Sequence, residues 1–154
     1  MDRVEQLSIS RRRMWLGFLV GYGLSHGASI VASFMMDPEY GIRISKIVGG
    51  ILSVCSLGGF AVFAVYLVRL ILVRKHISGD PELESAVNDE LVKHNRFKAY
   101  RIAFFAVVLG LLVMIFGSYL YPPLVRYGAH SALYIVIMSF IGAFLWYEWQ
   151  ADHD

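Results

Sequence analysis

The sequence predicts an all-α integral membrane protein, a four-helix bundle in which two helical hairpins are joined by an amphipathic helical connector in the cytoplasm. Three observations predict this. First, the chain is 57% apolar and only 17% charged over 154 residues, where soluble domains run at roughly 45–50% and about 25%. Second, four apolar runs are each about 20 residues long, enough to cross about 30 Å of hydrocarbon. Third, one sizeable polar segment, 74–101, divides those runs two and two.

Residues 1–13 read as a polar cytoplasmic tail ending in Arg11, Arg12 and Arg13. Ser10 to Phe18 has a faint twin-arginine look, but the apolar stretch runs on to Met36 without a small-x-small cleavage site, so a retained helix is predicted. The first span, 14–36, carries small residues every four positions: Gly17, Gly21, Ser25, Ser29 and Ser33, with a second pair at Gly23 and Gly27. Such a stripe lets another helix approach closely, where packing replaces the hydrophobic drive that water would supply. That helix is either another span of the same chain or a second copy.

An outer loop, 37–46, follows, in which Asp37-Pro38-Glu39 predicts a helix start. The second span is 47–73, thin in its first half (Gly49, Gly50, Ser53, Gly58, Gly59) and bulky later (Phe60, Phe63, Tyr66). Arg69, one turn from its end, is predicted to snorkel to lipid headgroups.

The connector, 74–101, is predicted as a helical segment with Ser78-Gly79 a hinge before its cap. Asp80 can cap the free N–H groups of a first turn, and Pro81 fits the first helical position. Glu82 and Glu84 suit the positive end of the dipole. Leu83, Val87 and Leu91 recur every four residues, leaving a narrow apolar face on a charged helix. Asp89 with Lys93 and Glu90 with His94 stand in the acid-first order that supports a helix. The third span, 102–121, is stopped by Tyr121-Pro122-Pro123. An outer turn, 122–128, leads to the fourth span, 129–149, which closes on Trp146, Tyr147 and Trp149, an interfacial aromatic girdle. Residues 150–154 form an acidic tail.

Orientation follows from the basic residues. Arg3, Arg11, Arg12, Arg13, Arg69, Arg74, Lys75, Lys93, Arg96, Lys98 and Arg101 fall on one side, and only Arg43, Lys46 and Arg126 on the other. Both termini and the connector are therefore predicted to be cytoplasmic, in a multi-pass protein of the inner (plasma) membrane. Lys93, Lys98 and Arg101, with Arg69, are predicted headgroup contacts, each gaining about 1 kcal/mol beside an anionic leaflet.

Little in the sequence points to chemistry. The 12 acidic residues all lie in tails, loops or, for Glu148, the last interfacial turn. This argues against a proton-coupled exporter of the small multidrug resistance kind, which needs a carboxylate inside its first helix. The lone Cys55 permits neither an intrachain disulfide nor a cysteine metal site. No nucleophile elbow, phosphate-binding loop or paired catalytic carboxylates are present, so no enzymatic activity, metal or cofactor is predicted, nor any nucleic-acid partner. His26, nearly central in the first span, is predicted to be a structural histidine hydrogen-bonded to a serine of another helix. Its only candidate mate for haem, His130, is predicted about 3 Å below the outer surface, against roughly 15 Å for His26, too different for one iron.

The run Asp80-Pro81-x-Leu83, then Asn88-Asp89-Glu90-Leu91-Val92-Lys93-His94-Asn95-Arg96 and a long apolar helix, resembles small bacterial inner-membrane proteins with an acidic-then-basic connector ahead of a C-terminal hairpin. The resemblance covers about residues 78–120 and implies a bacterial origin without implying an activity.

The resulting expectation is a non-enzymatic accessory subunit or homo-oligomer, whose partners are the lipid bilayer and another protein chain or copy. Its docking surface is expected at Leu83, Val87 and Leu91, with Asp89, Glu90, Asn95 and Arg96 supplying polar specificity. The alternative is a small transporter or channel with a polar path past Tyr22, Ser25, His26, Ser29 and Ser53. A haem or quinone redox subunit is the third reading.

Overall fold

The computed structural model describes residues 3–35, 46–87, 90–122 and 124–151. Its described residues form five helices: α1 (Arg3–Met35), α2 (Lys46–Ser78), α3 (Pro81–Val87), α4 (Glu90–Ser118) and α5 (Leu124–Ala151). Four of them, all but α3, are long and apolar enough to cross a membrane. The expected helix start at Asp37 and the outer loop up to residue 45 lie outside the described residues, and Lys46, expected to end that loop, opens α2.

The long helices outrun the predicted spans. α1 is already helical at Arg3, so the expected N-terminal tail is largely the first turns of α1. α5 begins at Leu124, immediately after the two prolines, so the expected outer turn 122–128 is mostly helix. Proline is well placed just ahead of a helix, because it cannot supply the N–H that a first turn leaves unpaired. α4 ends three residues before Tyr121; the Leu120 and Tyr121 N–H groups close a turn on the Gly117 carbonyl at 3.0 and 2.8 Å.

The connector divides at the hinge expected before the Asp80 cap, so 74–101 is not a single helix. α2 continues through its basic end to Ser78, the chain turns at Gly79 and Asp80, α3 occupies 81–87, and α4 starts at Glu90. The break is chemical: Asp80 accepts from the Leu83 N–H at 3.2 Å, while its own carbonyl accepts from Glu84 at 2.9 Å. A residue spent on capping α3 cannot also continue α2.

α1 packs along α2, α4 packs along α5, and α1 also packs on α5. Each pair is antiparallel. Gly21 faces Phe63 and Gly59 faces Ser25, whereas Tyr100 stacks on Phe140 (4.5 Å between ring centroids) and Asn95 reaches Tyr147. α1 and α5 are therefore the inner pair, flanked by α2 and α4.

Small residues set these contacts. On the α2 side of α1, a Cβ on Gly59 would stand 2.5 Å from the Ser25 nitrogen, and one on Gly21 2.5 Å from the Phe63 nitrogen. The two backbones touch there, so the Gly17–Gly21–Ser25–Ser29 stripe is the α1–α2 seam. On the opposite side, a Cβ on Gly23 would lie 3.2 Å from the Met138 methyl and one on Gly27 3.2 Å from the Tyr134 hydroxyl, both on α5. α4 repeats the device with buried Asn95, Ala99 and Ala103, then Gly110 under Ile135.

Adjacent glycines on α2 give a direct test. Gly59 is against backbone, whereas Gly58 has nothing within 4 Å of its would-be Cβ. Gly59→Ala is expected to destabilise the protein by about 1–3 kcal/mol through overpacking, and Gly58→Ala to be neutral or slightly stabilising, as read by thermal unfolding in detergent. Equal effects from the two would contradict the seam.

Candidate functional site

Two groups of polar side chains are gathered by the helices: an aromatic and imidazole column along α1, buried at Phe18 and Tyr22 and open at His130, and an ion-pair cluster at the end where α1 begins and α5 finishes.

The column rises along α1. Trp15 meets Phe18 edge-on at 5.7 Å, Phe18 lies parallel to Tyr22 at 6.1 Å, and Tyr22 stacks on His26 at 4.1 Å. The spacing of three and four residues puts these rings on one face of α1. α5 contributes Tyr134, 5.9 Å from Tyr22, and His130, 6.4 Å from His26, while Phe63 of α2 closes the third side. The predicted separation in depth between His26 and His130 is thus overturned. Because α5 begins at Leu124, His130 lies well inside that helix and level with His26.

Among the described residues His26 bonds no serine, contrary to expectation. Its Nδ1 and the Tyr22 hydroxyl are buried without a hydrogen-bond partner among the described residues. Of the other residues on the expected polar path, Ser25 is buried against α2 and Ser29 donates to the Ser25 carbonyl at 2.8 Å. With that proton committed, the Ser56 hydroxyl donates to Ser29 at 3.0 Å. Ser53 stands apart, exposed on α2 and bonded back to the Gly49 carbonyl at 2.9 Å. The path therefore loses Ser53, and Ser56 takes its place beside Ser29. Ser33 turns its hydroxyl to the Ser29 carbonyl.

The ion-pair cluster centres on Glu148. Arg11 donates to its carboxylate at 2.9 Å, with both side chains about nine-tenths buried, and Arg12 donates to its backbone carbonyl at 3.3 Å. Arg96 of α4 lies within electrostatic reach of Glu148, Arg11 and Arg74. Sequence reasoning treats Arg11, Arg12 and Arg74 as topological markers, Arg96 as part of the docking surface and Glu148 as an interfacial residue; the fold instead turns Arg96, half-buried, toward this cluster. The missed signal is that an arginine run opening the first span and an acid closing the last must share one end if both helices cross the same layer.

The expected docking face is divided by the fold. Leu83 is only 5% exposed, packed against Ile77, Val73 and Leu7 of its own chain, so it is not available to a partner. Asn95 is also 5% exposed and donates to the Tyr147 carbonyl at 3.5 Å. Leu91 remains outside at 53% exposure. The side chains of Val87 and Glu90, and Asp89 as a whole, lie outside the described residues. Among the expected headgroup contacts, Lys93 and Arg101 are exposed and Arg69 sits 5.7 Å over Tyr66. Lys98 is half-buried with its ammonium 5.2 Å over the Tyr147 ring, which turns it toward α5. Among the described residues no group of three or more His, Cys, Asp or Glu is placed to hold a metal ion.

A buried hydroxyl without a partner costs about 1–3 kcal/mol. Tyr22→Phe is accordingly expected to leave the protein as stable as the parent or more so, by up to about 1 kcal/mol, in chemical unfolding followed by circular dichroism. A clear loss of stability would mean that the hydroxyl bonds a water or solute in the interior.

No protein-family model, no curated protein and no solved structure matches the chain.

Proposed function

We propose that this protein is a non-enzymatic integral membrane protein of the bacterial inner membrane, with both termini cytoplasmic, acting as an accessory subunit or small homo-oligomer. Its four long helices form the membrane bundle, and the eleven basic residues on the terminal side set the orientation. The association surface in this reading is the outer face of α2 rather than the connector.

One observation carries that choice. Gly50, Val54, Gly58, Ala61 and Val65 follow one another at intervals of three and four, all exposed, on the side of α2 opposite Gly59. α1 covers the Gly59 side, and open space surrounds Gly50 and Gly58. Small residues facing lipid forgo dispersion contacts that a neighbouring helix would make, so such a ridge favours helix–helix contact. The connector supports the same class of role less well, because Leu83 and Asn95 are already used within the chain.

A second reading, a small transporter or channel, draws on the interior column. Tyr22 and His26 present unpaired polar atoms beside His130, and a protonatable path needs such groups away from the surface. A pH-dependent flux in proteoliposomes that disappears in His26→Ala would favour it over association.

The main reading is tested by cross-linking in native membranes with Gly58→Ile and Val87→Asp. Gly58→Ile is expected to lower the cross-linked or co-purified species roughly tenfold, a loss of about 1.4 kcal/mol, while insertion is unchanged. Association that survives Gly58→Ile but is lost in Val87→Asp would return the docking surface to the connector. Association unaffected by both would overturn the proposal.

A further inference from the structure

A groove of about 690 Å³ opens between α2 and α4 beside the Glu148 cluster, within the roughly 300–1,000 Å³ span of small-ligand sites. Its two ends differ in chemistry. The apolar end is walled by Leu67 and Ile71 of α2 and floored by Phe18, Ile141 and Phe144 of the inner pair. The polar end is ringed by Arg11, Arg74 and Arg96, with Glu84 the one carboxylate in the lining. From Leu67 to Val73, the apolar α2 wall is about 9 Å long at about 1.5 Å per residue, within the roughly 15 Å of hydrocarbon in one leaflet.

We propose that this groove is a binding site for an anionic phospholipid of the leaflet on the basic side. The headgroup phosphate sits among Arg74, Arg96 and Arg11, and one acyl chain lies along Leu67, Ile71 and the aromatic floor. Three features select this occupant. Among the described residues, Arg11, Arg74 and Arg96 meet only two carboxylates there, Glu148, which Arg11 already pairs with, and Glu84, and an anion placed at that end offsets the excess positive charge. Guanidinium groups match phosphate oxygens in pairs of hydrogen bonds. The groove is also continuous from that excess charge to an apolar wall; a free phosphate would leave the wall unfilled, and an apolar molecule would not offset the charge. Basic pockets between membrane helices on the cytoplasmic side are where acidic headgroups bind. The inference rests on the four helices spanning the bilayer and not on association through α2, so Gly58→Ile leaves it unmoved.

The test is native mass spectrometry of the full chain in detergent with phosphatidylglycerol, phosphatidylcholine or glycerol 3-phosphate. Phosphatidylglycerol is expected to be retained in preference to phosphatidylcholine. The Arg74→Gln, Arg96→Gln double variant should lose about thirtyfold in that retention, at about 1 kcal/mol for each arginine. Arg13→Gln with Lys75→Gln, which removes the same charge at exposed positions outside the groove lining, should leave it nearly unchanged. Ile71→Trp, which fills the apolar end with every arginine intact, should also lower it, and it keeps the test decisive if the arginine variant fails to fold. Equal retention of the two lipids, equal losses from the two double variants, no loss in Ile71→Trp, or displacement by glycerol 3-phosphate would each overturn the proposal.

Discussion

The buried ion pair between Arg11 and Glu148 is the interaction on which the arrangement turns. It joins residues 137 apart in sequence, one near the start of the first helix and one near the end of the last. Two charges taken out of water need good geometry and further hydrogen bonds to hold their place. Here a second arginine, Arg12, donates to the Glu148 carbonyl one turn from the helix end, where backbone carbonyls otherwise lack partners. The pair therefore fixes both which helices are adjacent and how they are registered along their length.

With α1 and α5 registered in this way, α1 has to serve two neighbours at once, and its composition allows it. Gly17 and Gly21 face α2, while Gly23 and Gly27 face α5. Between those seams stand the large rings, Phe18, Tyr22 and His26, which fill the space that close backbones leave. The flanking helices are held from one side: α2 by glycine contacts to α1, and α4 by its Ala99–Ala103–Gly110 ridge against α5. Their unshared faces, and the groove between them, are the surfaces to which the proposals of association and lipid binding refer.

Much of this is legible in the sequence, and the rest is not for definite reasons. Four apolar runs, the Asp80 cap and the α1 stripe are local patterns, and each has a local physical cause. What escapes is pairing between distant segments. The period of Leu83, Val87 and Leu91 shows an apolar face but not what covers it, and the fold turns Leu83 onto Ile77 and Val73. Depth arguments fail similarly: counting from an assumed helix start at residue 129 left His130 near the surface, whereas a start at Leu124 sets it beside His26. The ridge on α4 was readable in principle, since Asn95, Ala99, Ala103 and Gly110 recur at helical spacing, but its largest member is polar and reads as a surface residue. Glu148 and Arg11 were each visible, and only the shared end of their helices makes them partners.

The account is tested most directly by a charge-exchange cycle on that pair. The unfolding free energy of Arg11→Glu, Glu148→Arg and the double exchange would be measured in one detergent. Each single exchange leaves two like charges buried together and is expected to cost about 3–5 kcal/mol, with the double exchange regaining most of it. If the single effects are small, or simply add in the double exchange, the two side chains do not hold the first and last helices together and the arrangement described here is wrong.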